Sequence, residues 1–156
     1  MQYHPHALGH GGFCMFETLA SQIGAAVAVC ITAFAFLKGD EPERIGAGAY
    51  ILAFLASLLV QDTGQLYGTN WRLLGIDTIM LGVYAALVWK TDRAWPIWVC
   101  ALQSVIVLSH VLTIVDVRPP LSAFYAVINL ASYGVLVAIA VGTFWAWQDR
   151  VAQGLE

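Results

Sequence analysis

Apolar residues dominate five stretches of this chain, and short polar segments separate them. Each stretch comes close to or exceeds the roughly 20 residues that an α-helix needs to cross a hydrocarbon core of about 30 Å. The pattern predicts five transmembrane helices, and the second has to extend into flanking residues to reach that length. The stretches are Leu19–Leu37, Ile45–Val60, Trp71–Trp89, Trp95–Val115 and Leu121–Trp147.

Composition agrees with a membrane protein. Hydrophobic residues make up 60% of the chain and charged residues 11%, whereas soluble domains carry about 25% charged residues. Because the connections are short, neighbouring helices are expected to be antiparallel. The predicted fold class is all-α, an integral membrane bundle of five transmembrane helices. We divide the chain into an N-terminal tail (1–17), a transmembrane domain (18–147) and a C-terminal tail (148–156).

The basic residues predict the orientation. Five crossings place the N-terminal tail and loops 61–70 and 116–120 on one side of the membrane, side A, and the remaining connections and the C-terminus on side B. The side richer in Lys and Arg faces the cytoplasm. We therefore expect the N-terminus outside and the C-terminus in the cytoplasm. Side B carries Lys38, Arg44, Lys90, Arg93 and Arg150, and side A carries Arg72 and Arg118.

Aromatic and small residues predict contacts with the membrane surface and between helices. Tryptophan favours the headgroup layer, and small residues let helix backbones approach closely. Glycine and alanine recur in the first two stretches, for example at Gly24, Gly46 and Gly48. Trp71 marks side A, and the tryptophans at side B are Trp89, Trp95, Trp98, Trp145 and Trp147.

Polar residues inside the apolar stretches form the candidate site. Asp77 precedes Asp92, near the centre of a side B turn, by 15 residues, and His110 follows it by 18. At 1.5 Å per residue the two differ by only about 5 Å in depth. Tyr125 is expected at the same level, because it follows Arg118 by seven residues and His110 precedes Arg118 by eight.

Three further residues extend this cluster toward the membrane centre. Gln103 lies seven residues before His110 on the same helix face, and Asn129 and Tyr133 follow Tyr125 at four-residue intervals. Together the six residues predict a polar seam that runs inward from side A. One interpretation is packing, in which polar contacts specify how three helices dock. The other is a functional site: a quinone or haem pocket, a proton-transfer pair or a metal position.

The N-terminal tail contains three histidines, His4, His6 and His10. Neutral imidazoles are ligands for transition metals and haem iron, so one interpretation of the tail is a metal site. The other is a flexible polar segment, which the glycines between residues 9 and 12 favour.

The sequence contains no Gly-rich phosphate loop, no HExxH zinc motif and no CxxCH haem attachment site. It also contains no basic run that would favour nucleic acid. We therefore expect a non-enzymatic accessory or scaffolding subunit that packs in the lipid bilayer beside other membrane proteins or copies of itself. The alternatives are a haem-, quinone- or metal-binding redox module that uses Asp77, His110 and Tyr125, and a subunit of an oligomeric transporter or channel.

Over residues 39–147 the chain resembles a loose group of small bacterial inner-membrane proteins without known activity. The resemblance implies that the protein lies in the inner (cytoplasmic) membrane of a bacterium. It does not imply any activity. The His-containing tail falls outside it. The segments that carry the resemblance are GDEPERIGAGAYILAFLASLLVQD, RLLGIDTIMLGVY, KTDRAWPIWVCALQSVIVLSHVLTIVD and ASYGVLVAIAVGTFWAW.

Overall fold

The computed structural model describes residues 19–60, 71–115 and 121–154, and within these ranges the protein consists of five α-helices without strands. They are α1 (Leu19–Lys38), α2 (Glu41–Val60), α3 (Trp71–Lys90), α4 (Trp95–Ile114) and α5 (Leu121–Ala152). The last four helices are long and apolar enough to cross a membrane, and Gln22–Lys38 of α1 is a shorter apolar helix. The predicted all-α membrane bundle of five helices is confirmed.

The second helix begins four residues before the apolar stretch that predicted it, at Glu41 rather than Ile45. The extension gives α2 a length of 20 residues, enough to span the hydrocarbon core. It is stabilised by Glu43, whose Oε2 accepts a hydrogen bond of 3.1 Å from the backbone N–H of Asp40. An acid that reaches back to the N-cap in this way is one half of a capping box.

The fifth helix continues five residues beyond the end of its apolar stretch at Trp147 and ends at Ala152. Arg150 lies in this extension, and its two terminal nitrogens donate to Asp40 Oδ1 and to the carbonyl oxygen of Lys38. These contacts anchor the last turns of α5 against the α1–α2 turn. Part of the predicted C-terminal tail is thus helical and packed on the bundle.

Four helices form a ring, and the first packs outside it. Helices α2, α3, α4 and α5 each contact the next, α5 returns to α2, and α1 contacts α2 and α5. The short turns at 39–40 and 91–94 make the helices they join antiparallel neighbours. Helix α1 therefore occupies the groove between α2 and α5.

The tightest packing lies in the half of the bundle nearest side B. The fully buried apolar side chains there include Tyr84, Val99 and Ile139, which belong to one core cluster. In α2 every fully buried residue falls in the first two turns, and in α3 the buried residues begin at Met80. Toward side A the described parts of these two helices are only partly buried or exposed.

Several glycines of the described helices face aromatic side chains. A Cβ atom at Gly46 would lie 2.8 Å from Cη2 of Trp95, and one at Gly142 would lie 2.5 Å from Cδ1 and Cγ of the same ring. A Cβ atom at Gly24 would lie 2.8 Å from the hydroxyl oxygen of Tyr133. Gly24 and Gly46, which were expected to bring backbones together, therefore make room for aromatic rings.

Four of the six tryptophans are exposed, as the prediction of interface anchors requires, whereas Trp147 is half-buried and Trp95 is buried. At side B the exposed fractions of Trp89 and Trp98 are 93% and 67%, as expected of residues in the headgroup layer. Trp145 at side B and Trp71 at side A are also exposed. Trp95 departs from the prediction of an interface anchor, because its ring is buried between Gly46 and Gly142.

We expect Gly142→Ala to destabilise the bundle by about 1–3 kcal/mol, because the added methyl overlaps the Trp95 ring in a closely packed site. Gly82→Ala is the matched control, since a Cβ at Gly82 meets nothing within 4 Å. The control should leave the free energy of unfolding unchanged or raise it by up to about 1 kcal/mol. Thermal unfolding of the purified variants in detergent measures both effects. Equal stability of the two variants would contradict this packing.

Candidate functional site

Three of the six predicted polar residues meet between α3 and α4. The amide nitrogen of Gln103 donates to Asp77 Oδ1 at 3.0 Å and to the backbone oxygen of Asp77 at 3.2 Å. Nε2 of His110 lies 3.0 Å from Asp77 Oδ2. Each carboxyl oxygen of Asp77 thus has its own partner, and both partners come from one face of α4.

This group, which we call the Asp77 cluster, is largely shielded by protein. Gln103 is 4% exposed, and the side chains of His110 and Asp77 are 11% and 23% exposed. The seven-residue spacing of Gln103 and His110 corresponds to two helix turns, which places both side chains toward α3. The cluster therefore joins α3 to α4 within the span, where polar groups need partners.

The imidazole of His110 contacts α5 through Phe124. The two rings are 5.7 Å apart at their centroids and meet edge to face at 78°. We predicted Tyr125 beside His110, but the side chain of Tyr125 lies outside the described residues. Thr113 donates to the backbone oxygen of His110 at 2.6 Å. The described contacts of the imidazole itself are therefore one carboxyl group and one aromatic ring.

Asn129 and Tyr133 lie apart from the Asp77 cluster. Both are exposed on the surface of α5, and the hydroxyl of Tyr133 lies against Gly24 of α1. The depth comparison that grouped these residues gives no information on the side of the helix that they occupy. The expected continuous seam is thus divided: the Asp77 cluster lies at the α3–α4 contact, Tyr133 lies beside α1, and Asn129 is exposed on α5.

The metal site proposed for the tail involves His4, His6 and His10, which lie outside the described residues. Within residues 19–60, 71–115 and 121–154, no three His, Cys, Asp or Glu side chains are grouped as a metal site would require. In the Asp77 cluster, Nε2 of His110 is already engaged by Asp77. A haem iron would therefore have to displace the carboxyl group or bind the other ring nitrogen. The chemistry that this geometry favours is the holding or exchange of a proton between carboxyl and imidazole.

A second polar cluster, at the side B end, was not predicted as a site. Glu43 has no exposed surface, and its Oε1 accepts hydrogen bonds from Nε1 of Trp95 at 2.7 Å and from Nη1 of Arg93 at 3.0 Å. Asp40 accepts from Nη2 of Arg93 at 2.5 Å and also from Arg150. This Glu43 cluster joins the α1–α2 turn, the α3–α4 turn and the end of α5.

The sequence does contain a signal for the Glu43 cluster. Asp40 and Glu43 lie at the α1–α2 turn, and Arg93 lies in the α3–α4 turn at the same end of the bundle. The packing of α2 against α3 brings these residues together. We interpreted the first turn as a mixed-charge cytoplasmic turn and did not pair its acidic residues with Arg93. Trp95, two residues after Arg93, supplies the indole N–H that makes full burial of a carboxylate possible.

We expect Glu43→Ala to lower the free energy of unfolding by about 1–3 kcal/mol for each buried donor left without an acceptor. The donors affected are the buried indole N–H of Trp95, a guanidinium nitrogen of the partly exposed Arg93 and the backbone N–H of Asp40. Asp92→Ala is the control, because Asp92 is exposed and its side chain makes no described hydrogen bond. Unfolding in detergent compares the variants. A Glu43→Ala protein as stable as the control would show that the Glu43 cluster does not hold the bundle together.

Comparisons of the chain with models of known protein families, with curated proteins and with solved structures found no match.

Proposed function

We propose that this protein is an accessory subunit of a membrane protein complex, in a bacterial inner membrane with its N-terminus outside and its C-terminus in the cytoplasm. The orientation rests on the five-to-two excess of Lys and Arg at side B. The accessory role rests on one structural observation, the carboxamide of Asn129. It is exposed on α5 within the apolar segment Ala126–Ala152.

Asn129 has no hydrogen-bond partner within the described part of the chain. It lies eight residues into α5, about 12 Å along the helix axis. Hydrocarbon cannot satisfy an amide at this depth, and an unpaired amide in an apolar medium costs several kcal/mol. Other exposed hydroxyls in the spans avoid this cost, because Thr78 and Ser104 donate to carbonyl oxygens of their own helices.

The occupant that fits this surface is a transmembrane helix of another subunit, with a hydrogen-bonding side chain at the depth of Asn129. Such contacts between membrane helices contribute about 1 kcal/mol on average. The residues around Asn129 suit a helix partner as well, since Ala126 is small and Leu130 is 74% exposed. A bilayer-facing helix surface with one polar side chain, such as that around Asn129, favours association with another membrane helix over catalysis.

Purification of the tagged full-length protein in mild detergent tests the proposal. We expect a partner membrane protein in fixed ratio, and a photo-cross-linking amino acid at position 130 should attach to it. Asn129→Leu should reduce the recovered partner about fivefold, which corresponds to the loss of about 1 kcal/mol. Ser104→Ala should leave recovery unchanged, because its hydroxyl is bonded to Cys100 of the same helix.

Two outcomes would contradict an accessory role. A monomer whose position 130 cross-links only to lipid would show that α5 has no protein partner. Cross-links between two copies of this chain alone would show self-association. Circular dichroism of Asn129→Leu confirms that any loss of partner does not reflect unfolding.

The Asp77 cluster favours a second candidate function, a proton path through a transport subunit. A carboxyl group and an imidazole 3.0 Å apart can exchange a proton, and ionisable residues inside membrane spans often belong to such paths.

For this second function we expect Asp77→Asn to reduce proton flux at least tenfold in proteoliposomes under an imposed pH gradient. The asparagine keeps an acceptor for Gln103 but holds no exchangeable carboxyl proton. Asp92→Asn, on an exposed residue of the α3–α4 turn, is the matched control and should conduct like the natural protein. Flux that survives Asp77→Asn, or natural protein without flux, would exclude the path and leave the accessory role untouched.

A further inference from the structure

A cavity of about 480 Å³ opens at the side B end of the bundle, where α1 ends and α2 begins. Its volume falls in the range typical of small-molecule sites, about 300–1,000 Å³. The wall toward the protein is formed by Asp40 and Arg150, which are paired with each other. Asp40 also pairs with Arg93, which pairs with Glu43, so these two acidic and two basic side chains balance one another.

Two further charged side chains line the cavity and have no described partner for their charged ends. Glu41 is exposed and makes no described side-chain hydrogen bond. Arg44 is exposed and donates through Nε to the carbonyl oxygen of Gly39 at 3.0 Å. This bond orients the guanidinium group and leaves its two terminal nitrogens available. One carboxylate and one guanidinium, one helix turn apart, thus face the same space.

The other part of the lining is apolar and faces the bilayer. Phe36 of α1 and Ile45 of α2 are 49% and 42% exposed. The exposed ring of Trp145, five residues before Arg150 on α5, lies about 7.5 Å from it along the helix axis. Because tryptophan marks the headgroup layer, the charged part of the cavity lies at the level of lipid headgroups and the apolar part borders the acyl chains.

We infer that this cavity binds a zwitterionic phospholipid that carries a phosphate and a primary ammonium group. The terminal nitrogens of Arg44 hold the phosphate, since a guanidinium matches phosphate oxygens in pairs. The carboxylate of Glu41 accepts hydrogen bonds from the ammonium group. Phe36 and Ile45 contact the first carbons of an acyl chain.

Charge balance selects this headgroup over an anionic one. The pair Glu41 and Arg44 has no net charge, and the pair Asp40 and Arg150 has none either. An anionic lipid would meet the carboxylate of Glu41 without a cation to offset it, and like charges in contact oppose binding. A headgroup with one charge of each sign is complementary to the cavity.

Native mass spectrometry of the full-length protein in detergent, titrated with phosphatidylethanolamine, phosphatidylglycerol or inorganic phosphate, tests the inference. We expect phosphatidylethanolamine to bind at least fivefold more tightly than the other two. Arg44→Gln and Glu41→Gln should each remove this preference, and Glu41→Gln should also improve binding of phosphatidylglycerol. Lys90→Gln, which removes an exposed cation at the same end of the bundle, should change none of these values.

Three results would overturn the inference. Equal binding of both lipids by the natural protein would show that the headgroup is not recognised. Tighter binding of phosphatidylglycerol would assign an anionic-lipid site, and binding of inorganic phosphate as tight as that of phosphatidylethanolamine would assign a free-anion site. Thermal unfolding of each variant without added lipid shows whether the substitutions leave the fold intact.

Discussion

The buried carboxylate of Glu43 is the constraint on which the rest of the bundle depends. A carboxylate without exposed surface is stable only when donors replace the water it has lost. These donors are the indole of Trp95, the guanidinium of Arg93 and a backbone N–H. Because the indole lies between Gly46 and Gly142, the contact that satisfies Glu43 also sets the separation of α2, α4 and α5.

Hydropathy alone predicted the number of helices and most of their ends, because a bilayer requires long apolar segments with internally satisfied backbones. Four helices begin at the first residue of the predicted stretch, and only α2 does not. The extension of α2 into its flanking residues was expected, because its apolar stretch is short, and the acid Glu43, which reaches back to Asp40, carries the helix through charges that a hydropathy pattern treats as loop. The burial of Trp95 was missed because amphipathic rings at span ends usually stay at the interface.

The Asp77 cluster could be predicted in part, because counting residues from each turn gives depth and a seven-residue spacing gives a common face. Depth brings Asp77 and His110 to one level, and the common helix face adds Gln103, which lies two turns from His110. Depth and spacing do not determine which side of α5 faces His110, because successive residues of a helix point about 100° apart. In the structure, Phe124 contacts the imidazole of His110, and Asn129 is exposed on the outer side of α5. The rotation of α5 about its own axis is set by its packing against α1 and α4. The sequence pattern of α5 alone does not predict it.

The Glu43 cluster also bears on how the chain is assembled. Glu43 precedes Arg93 by 50 residues, and Asp40 precedes Arg150 by 110. During synthesis from the N-terminus, the acidic groups therefore reach the membrane well before the guanidinium groups that neutralise them. The Glu43 cluster is therefore complete only after α5 has been synthesised, although its acidic residues belong to the first turn of the bundle.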